Sequence, residues 1–504
     1  MLFNSYIFIF IFLPLALLGY FGLNHFKKYE LAKLFLALMS LWFYAYFDYY
    51  YLWIIIGSVL FNYFLSFIIK KVQKERTLLS KTESTIFSLF GILGNLALFF
   101  YFKYFDFFIE NVNLLFKSNF RLQNIILPLG ISFFTFQQLS FIIDRAKGKA
   151  EHYSFINYIT FVTFFPQLIA GPIVLYEEMM PQFENIENKS FNFDNTSRGL
   201  LLFTLGLSKK VLLADVLALP VNHGFSQALF LDTTSTLLMM LAYTFQIYFD
   251  FSGYSDMALG LAKMFNIELP INFDSPYKAK SVKELWQHWH ITLSRFFVRY
   301  VYIPLGGSRK GRIRTLINVF LIFFLSGVWH GANWTYFIWG AIHGLLVVFD
   351  NLGIIGVPDV NAKRNPKIKL PGFIGWLFTF LFFLLSLVFF RSDNLETSFI
   401  LFRNIFSFQN TGYLYKMAQT MKIPELYLVT KAVDLKFPEY NNILSIVIFI
   451  AFLILCALII RGRNALQIVK ESKLNRKTYI IIGILLSWCI ISFSQVSTFI
   501  YFNF

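Results

Sequence analysis

Residues 372–390 read GFIGWLFTFLFFLLSLVFF, an apolar run without one charged side chain. A helix rises about 1.5 Å per residue, so about 18 or more apolar residues cross the hydrocarbon core of a bilayer. Comparable runs recur near 5–23, 31–48, 50–69, 85–102, 124–143, 154–174, 198–218, 235–251, 315–330, 334–349, 442–460 and 478–496. The expected fold is an all-α polytopic integral membrane protein with roughly eleven to thirteen transmembrane or re-entrant helices. The rest of the composition agrees. Of 504 residues, 57% are hydrophobic and only 14% charged, too little charge to cover a soluble chain of this length. No hydrophilic domain or low-complexity linker interrupts the pattern, so 1–504 reads as a single membrane domain. The first run lacks a basic segment before it and a small-residue cleavage site after it, and is expected to be a span rather than a cleaved signal.

Forty-four basic residues against 28 acidic ones give a formal charge of +16. Their distribution argues against nucleic acid as the partner. Basic residues gather in short loops: Lys27, Lys28 and Lys33; Lys70, Lys71, Lys74, Arg76 and Lys81; Arg145, Lys147 and Lys149; Arg309, Lys310, Arg312 and Arg314; Lys363, Arg364, Lys367 and Lys369; and 461–477. The loop 176–188 between them is acidic, with Glu177, Glu178, Glu184 and Glu187. Read by the positive-inside rule, the basic loops face the cytoplasm. Both chain ends and the 176–197 loop are then expected outside, and 391–441 is expected to hold amphipathic helices at the outer surface. Cys456 and Cys489 fall inside runs and read as packing residues, with no metal site expected.

The chemistry concentrates elsewhere. Residues 326–334, SGVWHGANW, place His330 inside an apolar run. An ionisable group there is a functional candidate by default, while a neutral imidazole bonded to a neighbouring helix is the plain alternative. Gly327 and Gly331 have the spacing that lets another backbone, or a thin substrate, approach closely. Asn333, three residues on, is placed to orient the ring. His343 beside Gly340 and Gly344 is assigned to helix packing.

The stretch 252–314 is the other interruption. Read as one helix, Trp289, Leu293, Phe296, Phe297 and Tyr300 share a face, with His288, Thr292, Arg295 and Arg299 on a polar face beside it and His290 with Ser294 on the opposite flank. Pro304 and Gly306-Gly307 are expected to end it. His288 and His290, two positions apart, point too far apart for one metal ion. GGSRKG at 306–311 carries Arg309 and Lys310, candidates for contacting an anionic donor. A cytoplasmic turn is its default explanation.

Several motifs resemble the membrane-bound O-acyltransferase (MBOAT) family, and within it the bacterial branch that O-acetylates envelope polysaccharides such as alginate and peptidoglycan. They are GISFFTFQQLSFIID at 130–144, FFPQLIAGPI at 164–173, FDFSGYSDMALG at 249–260, WHITLS at 289–294, YIPLGG at 302–307 and LSGVWHGANW at 325–334. The resemblance implies a ring of helices around a central tunnel, with 120–350 as the motif-bearing catalytic core. It assigns His330 as the catalytic histidine and His290 as the second histidine at the reaction centre, hydrogen-bonding to or polarising the acyl carbonyl. FIYFNF at 499–504 is similar to an aromatic motif of that branch in which a tyrosine carries the acyl group, here Tyr501; an aromatic belt at the outer interface is the alternative.

The implied activity moves an acetyl group from cytoplasmic acetyl-coenzyme A, a donor substrate rather than a resident cofactor, across the bacterial inner membrane. An extracytoplasmic acetyl-accepting transferase protein is the implied partner and an envelope polysaccharide the acceptor. D-alanyl transfer to teichoic acid is the alternative within the family. A polysaccharide or lipid transporter without catalysis is the alternative outside it.

Overall fold

Seven helices among the described residues are long and apolar enough to cross a membrane: Phe8–His25, Tyr49–Gln73, Thr82–Phe116, Arg312–His330, Trp334–Leu352, Gly372–Arg391 and Pro438–Arg461. The computed structural model describes residues 1–74, 78–149, 154–358, 366–409, 411–495 and 499–500. Arg76, Lys363, Arg364 and Tyr501, named above, lie outside the described residues. The other expected runs are also helical: 235–251 lies in the continuous 32-residue helix Thr233–Met264, and the rest are shorter or interrupted. Residues 198–218 lie in a helix Phe193–Ser208 that continues through a π-helical turn Lys209–Ala214 into Asp215–Ser226. Among the described residues the one sheet is Ile355–Gly356 parallel to Ile368–Lys369, with a separate antiparallel bridge between Phe273 and Trp289. The chain is all-α in class.

Internal packing divides the chain into two units. The first comprises Met1–Thr204, Ser255–Ile271 and Leu474–Ile482. Here the run 154–174 departs from the expected crossing. The helix Phe155–Thr163 stops at Phe164, and a single turn Phe165–Leu168 follows. From 169 to 175 the backbone carries no helix until Tyr176–Glu184 begins. Pro166 removes a helical N–H, while Gly171 and Pro172 block its resumption.

Non-helical backbone inside a bilayer is tolerated only where protein covers it, and every residue from 161 to 176 is buried. Its polar groups find partners: Phe165 N–H donates to Ser40 Oγ at 3.2 Å, and Gln167 Nε2 to Phe161 O at 2.8 Å. At its turning point it packs against Gly130, whose φ is 72° and where a Cβ would sit 2.7 Å from Leu168 O. Only glycine fits both constraints.

The segment then returns to the end it left. Buried Lys33 places its Nζ 2.6 Å from Asn157 Oδ1 and 3.0 Å from Glu184 Oε1. Burial pushes the Glu184 carboxyl up, but the hydrogen bonds from Lys33 and Asn157 and the charges of Lys33 and Lys189 together outweigh it, so its pKa is lowered from the usual carboxylate value. Gln73 Nε2 likewise donates to Ala146 O at 2.8 Å, joining the 70s to the 145–149 loop. The 176–188 loop therefore lies at the same end as Lys33, and the expectation that it sits across the membrane from the basic loops is overturned. Length and hydropathy had counted a re-entrant segment as a span.

The second unit comprises Leu205–Tyr254, Asn272–Lys473 and Gly483–Phe504. Its centre is the hairpin of Arg312–His330 and Trp334–Leu352, whose helices cross at Gly327 and Gly340. A Cβ on Gly340 would lie 2.8 Å from Phe323 O and 2.9 Å from Gly327 Cα, so backbone meets backbone. His343 packs in this unit as expected. It accepts from Trp286 Nε1 at Nδ1, 3.1 Å, and its Nε2 lies 3.0 Å from Ser386 Oγ. Cys456 and Cys489 are buried thiols.

Candidate active site

His330 is the last residue of Arg312–His330, and Gly331 then turns into extended backbone. The ring is 1% exposed and enclosed by aromatics: Trp329 at 5.0 Å, Trp339 at 5.2 Å and Phe390 at 5.1 Å between ring centres. A second imidazole meets it there. The His290 ring centre lies 6.2 Å away, and His290 is fully buried.

His290 arrives by a route different from the expected single helix. The chain forms Val282–His288, leaves helical geometry at Trp289 and His290, and resumes at Ile291–Phe297. The cause lies in residues 272–274, which run antiparallel to this break. Asp274 N–H donates to His288 O at 3.0 Å, Ile291 N–H donates to Asn272 O at 3.0 Å, and Phe273 pairs with Trp289. His290 is thereby held at φ 46°, a left-handed value rare for a side chain with a Cβ. The continuous polar face drawn through His288, Thr292, Arg295 and Arg299 is correspondingly broken. His288 stands half-exposed, 3.7 Å from Asp274, while His290 turns inward.

Asn272 fixes the proton on His290. Its Oδ1 lies 3.2 Å from Thr292 N, 2.9 Å from Thr292 Oγ1 and 3.2 Å from His290 Nδ1. A backbone N–H only donates, so the amide atom facing Thr292 is the oxygen. The same oxygen faces His290 Nδ1, which therefore carries the hydrogen. A neutral imidazole so held presents a lone pair at Nε2. In this tautomer it accepts a hydrogen bond or a proton there and does not donate one to a carbonyl oxygen. Two other buried groups can do so: Asn272 Nδ2 and Trp339 Nε1 are N–H donors without a partner among the described residues.

The remaining candidates are dispersed. Asn333 does not orient the imidazole. Its Oδ1 caps Trp334–Leu352 by accepting from Thr335 N–H at 3.0 Å, and its Nδ2 donates to Asp393 O at 2.6 Å. Arg309 and Lys310 are exposed on the turn that follows Pro304, where Gly306 and Gly307 adopt φ of 104° and 55°. In the same unit a cavity of about 340 Å³ is lined by Lys283, Gln287, Ser294, Tyr302, Ser326 and Asn351, among others. Ser326 stands one helical turn before His330, and Ser294 one turn after His290.

Asn272, Trp339 and Phe390 were not singled out by sequence. Asn272 lies 18 positions from the histidine it holds, in a segment without periodicity. Trp339 and Phe390 are indistinguishable from lipid-facing aromatics until the chain is folded.

Comparison with known proteins adds an independent observation. The family model described as MBOAT, membrane-bound O-acyltransferase family, matches residues 36–392. A peptidoglycan O-acetyltransferase of Helicobacter pylori is 41% identical over 424 residues, 79% of this chain and 78% of that protein. A probable alginate O-acetylase of Pseudomonas putida is 38% identical over 415 residues, 81% of each. A teichoic acid D-alanyltransferase of Bacillus subtilis is 30% identical over 240 residues, 45% of this chain and 60% of that protein.

Proposed function

Because the chain belongs to the membrane-bound O-acyltransferase family, we propose that it moves an acetyl group from cytoplasmic acetyl-coenzyme A to an envelope polysaccharide, peptidoglycan or an alginate-like polymer, with His330 and His290 at the point of transfer. The observation that carries this reading is the pair of buried imidazoles 6.2 Å apart, one of them with its proton assigned by Asn272.

The thioester carbonyl is placed beside this pair, within reach of His330. The acceptor oxygen attacks the carbonyl carbon and forms the C–O bond, and its proton passes to His330 as general base. The oxygen charge that develops is met by Asn272 Nδ2 and Trp339 Nε1. The C–S bond then breaks, and the departing thiolate takes the proton back from His330. His290 Nε2 accepts a hydrogen bond from the protonated partner. The cavity beside Ser294 and Ser326 admits the donor arm, and Arg309 with Lys310 meets its anionic end. Tyr501 receives the acetyl group as an aryl ester, and an extracytoplasmic transferase protein carries it to the sugar. The protein sits in the bacterial cytoplasmic membrane with 499–504 on the outer side.

Cells whose only copy carries His330→Ala are expected to keep the protein in the membrane and lose polysaccharide O-acetyl groups. Unchanged acetate would remove His330 from the chemistry. D-alanyl esters disappearing in place of acetate would assign the other branch of the family.

A further inference from the structure

The second unit contains an ion cluster that the transfer chemistry does not use. Lys210 Nζ lies 2.6 Å from Asp250 Oδ1 and 2.8 Å from Asp215 Oδ1, with the three side chains 0%, 2% and 2% exposed. A buried ion pair gives little net stability, and the best-attested reason for keeping one is to fix a register. Lys210 sits on the π-helical turn Lys209–Ala214, a local insertion of the kind found at functional sites.

What rests on this cluster is the segment that ends in the aromatic motif. Ile500 N–H donates to Asp250 Oδ2 at 2.8 Å, so the two oxygens of Asp250 are divided between Lys210 and a backbone amide. The Phe499 ring covers Lys210 Nζ at 4.5 Å and stands edge-on to Tyr254 at 4.8 Å. The preceding residue is thus held by its ring and the following one by its backbone.

We propose that Lys210, Asp215 and Asp250 form the seat that fixes the 499–500 backbone, and that they act as positioning residues for the residue that follows, Tyr501. This deepens, and rests on, the reading of Tyr501 as the acyl relay. The carboxylate is required because both its oxygens accept. An asparagine in its place offers one acceptor and one NH₂, and either orientation sets that NH₂ against Lys210 or against the Ile500 amide.

The test uses the full-length protein in lipid nanodiscs and the variants Asp250→Asn, Ile500→Pro and Tyr501→Phe. Hydrogen exchange at the Ile500 amide, transfer of labelled acetyl to an acceptor, and binding of acetyl-coenzyme A are measured together. In Asp250→Asn the Ile500 amide is expected to exchange at least about tenfold faster, while amides of Arg312–His330 keep their protection. Acetyl transfer falls to the Tyr501→Phe level with donor affinity unchanged. Unaltered Ile500 exchange would overturn the seat. Accelerated exchange with full transfer, while Tyr501→Phe is inactive, would overturn the positioning role. Full activity of Tyr501→Phe would instead refute the relay and leave the seat to be judged by exchange alone. Should Asp250→Asn lose protection throughout, Ile500→Pro decides, because it keeps all three charges and deletes only the N–H; wild-type transfer in that variant contradicts the proposal.

Discussion

His290 occupies a left-handed backbone conformation that costs about 1–3 kcal/mol for a side chain of its kind, and three hydrogen bonds converging on Asn272 Oδ1 hold its surroundings. Asn272→Leu takes that acceptor away from the Thr292 donors and from His290 Nδ1–H. An unmet buried group costs about 1–3 kcal/mol, so acetyl turnover should fall about 10- to 100-fold in protein that still reaches the membrane, measured by acetyl release from labelled donor. Trp339→Phe keeps a ring beside His330 and deletes one N–H. Its turnover should fall about 100-fold or more with donor affinity little changed, and an unaffected rate would show that Nε1 does not meet the carbonyl oxygen. His330 was legible in sequence because an ionisable residue inside an apolar run needs an explanation, and His290 was reached through the family resemblance. Asn272 was not legible, because its role depends on an antiparallel strip that no local pattern encodes. Asn333 was misread for a related reason. Three residues after a helical histidine suggests a shared face, but the helix ends at His330 and Asn333 starts the next one.

At the scale of elements, the hairpin closes on glycine. At Gly340 the nearest obstacles to a side chain are backbone atoms, which cannot swing aside. Gly340→Val should therefore lower the yield of folded protein extracted in mild detergent, while Gly483→Val, at a position open to its surroundings, should not. The re-entrant segment makes a sharper prediction. Lys147 and Glu187 lie at the ends joined through Gln73 and Lys33, so Lys147→Cys and Glu187→Cys should both react with a membrane-impermeant maleimide from the same side of the membrane. Labelling from opposite sides would restore 154–174 as a crossing. The sequence contained the breaking signals, Pro166, Gly171 and Pro172, but an apolar window weighs composition and not direction. An extended return buried in protein has the same hydropathy as the second half of a span. Lys210, Asp215 and Asp250 were similarly readable as charges inside apolar runs. Their grouping was not, since 35 to 40 positions separate Asp250 from the other two.

At the scale of the whole chain, membrane class follows from hydropathy because a bilayer allows few backbone solutions, and helices satisfy their own hydrogen bonds. The count of crossings follows less directly, as the 154–174 segment demonstrates. Under the proposed function, a negatively charged thioester carrier meets the basic turn of Arg309 and Lys310. Replacing both with alanine should raise the KM for acetyl-coenzyme A several-fold without lowering kcat, since contacts equal in ground and transition states act on binding alone. The central claim is that His330, beside His290, takes the acceptor's proton as the acyl group passes from the thioester to the acceptor oxygen. Its most direct measurement follows label from radioactive acetyl-coenzyme A in purified wild-type and His330→Ala protein, with binding of the donor monitored in parallel. Label should leave the donor in wild type and fall by about 100-fold or more in the variant at unchanged donor affinity. Equal release of label from both proteins would contradict the account.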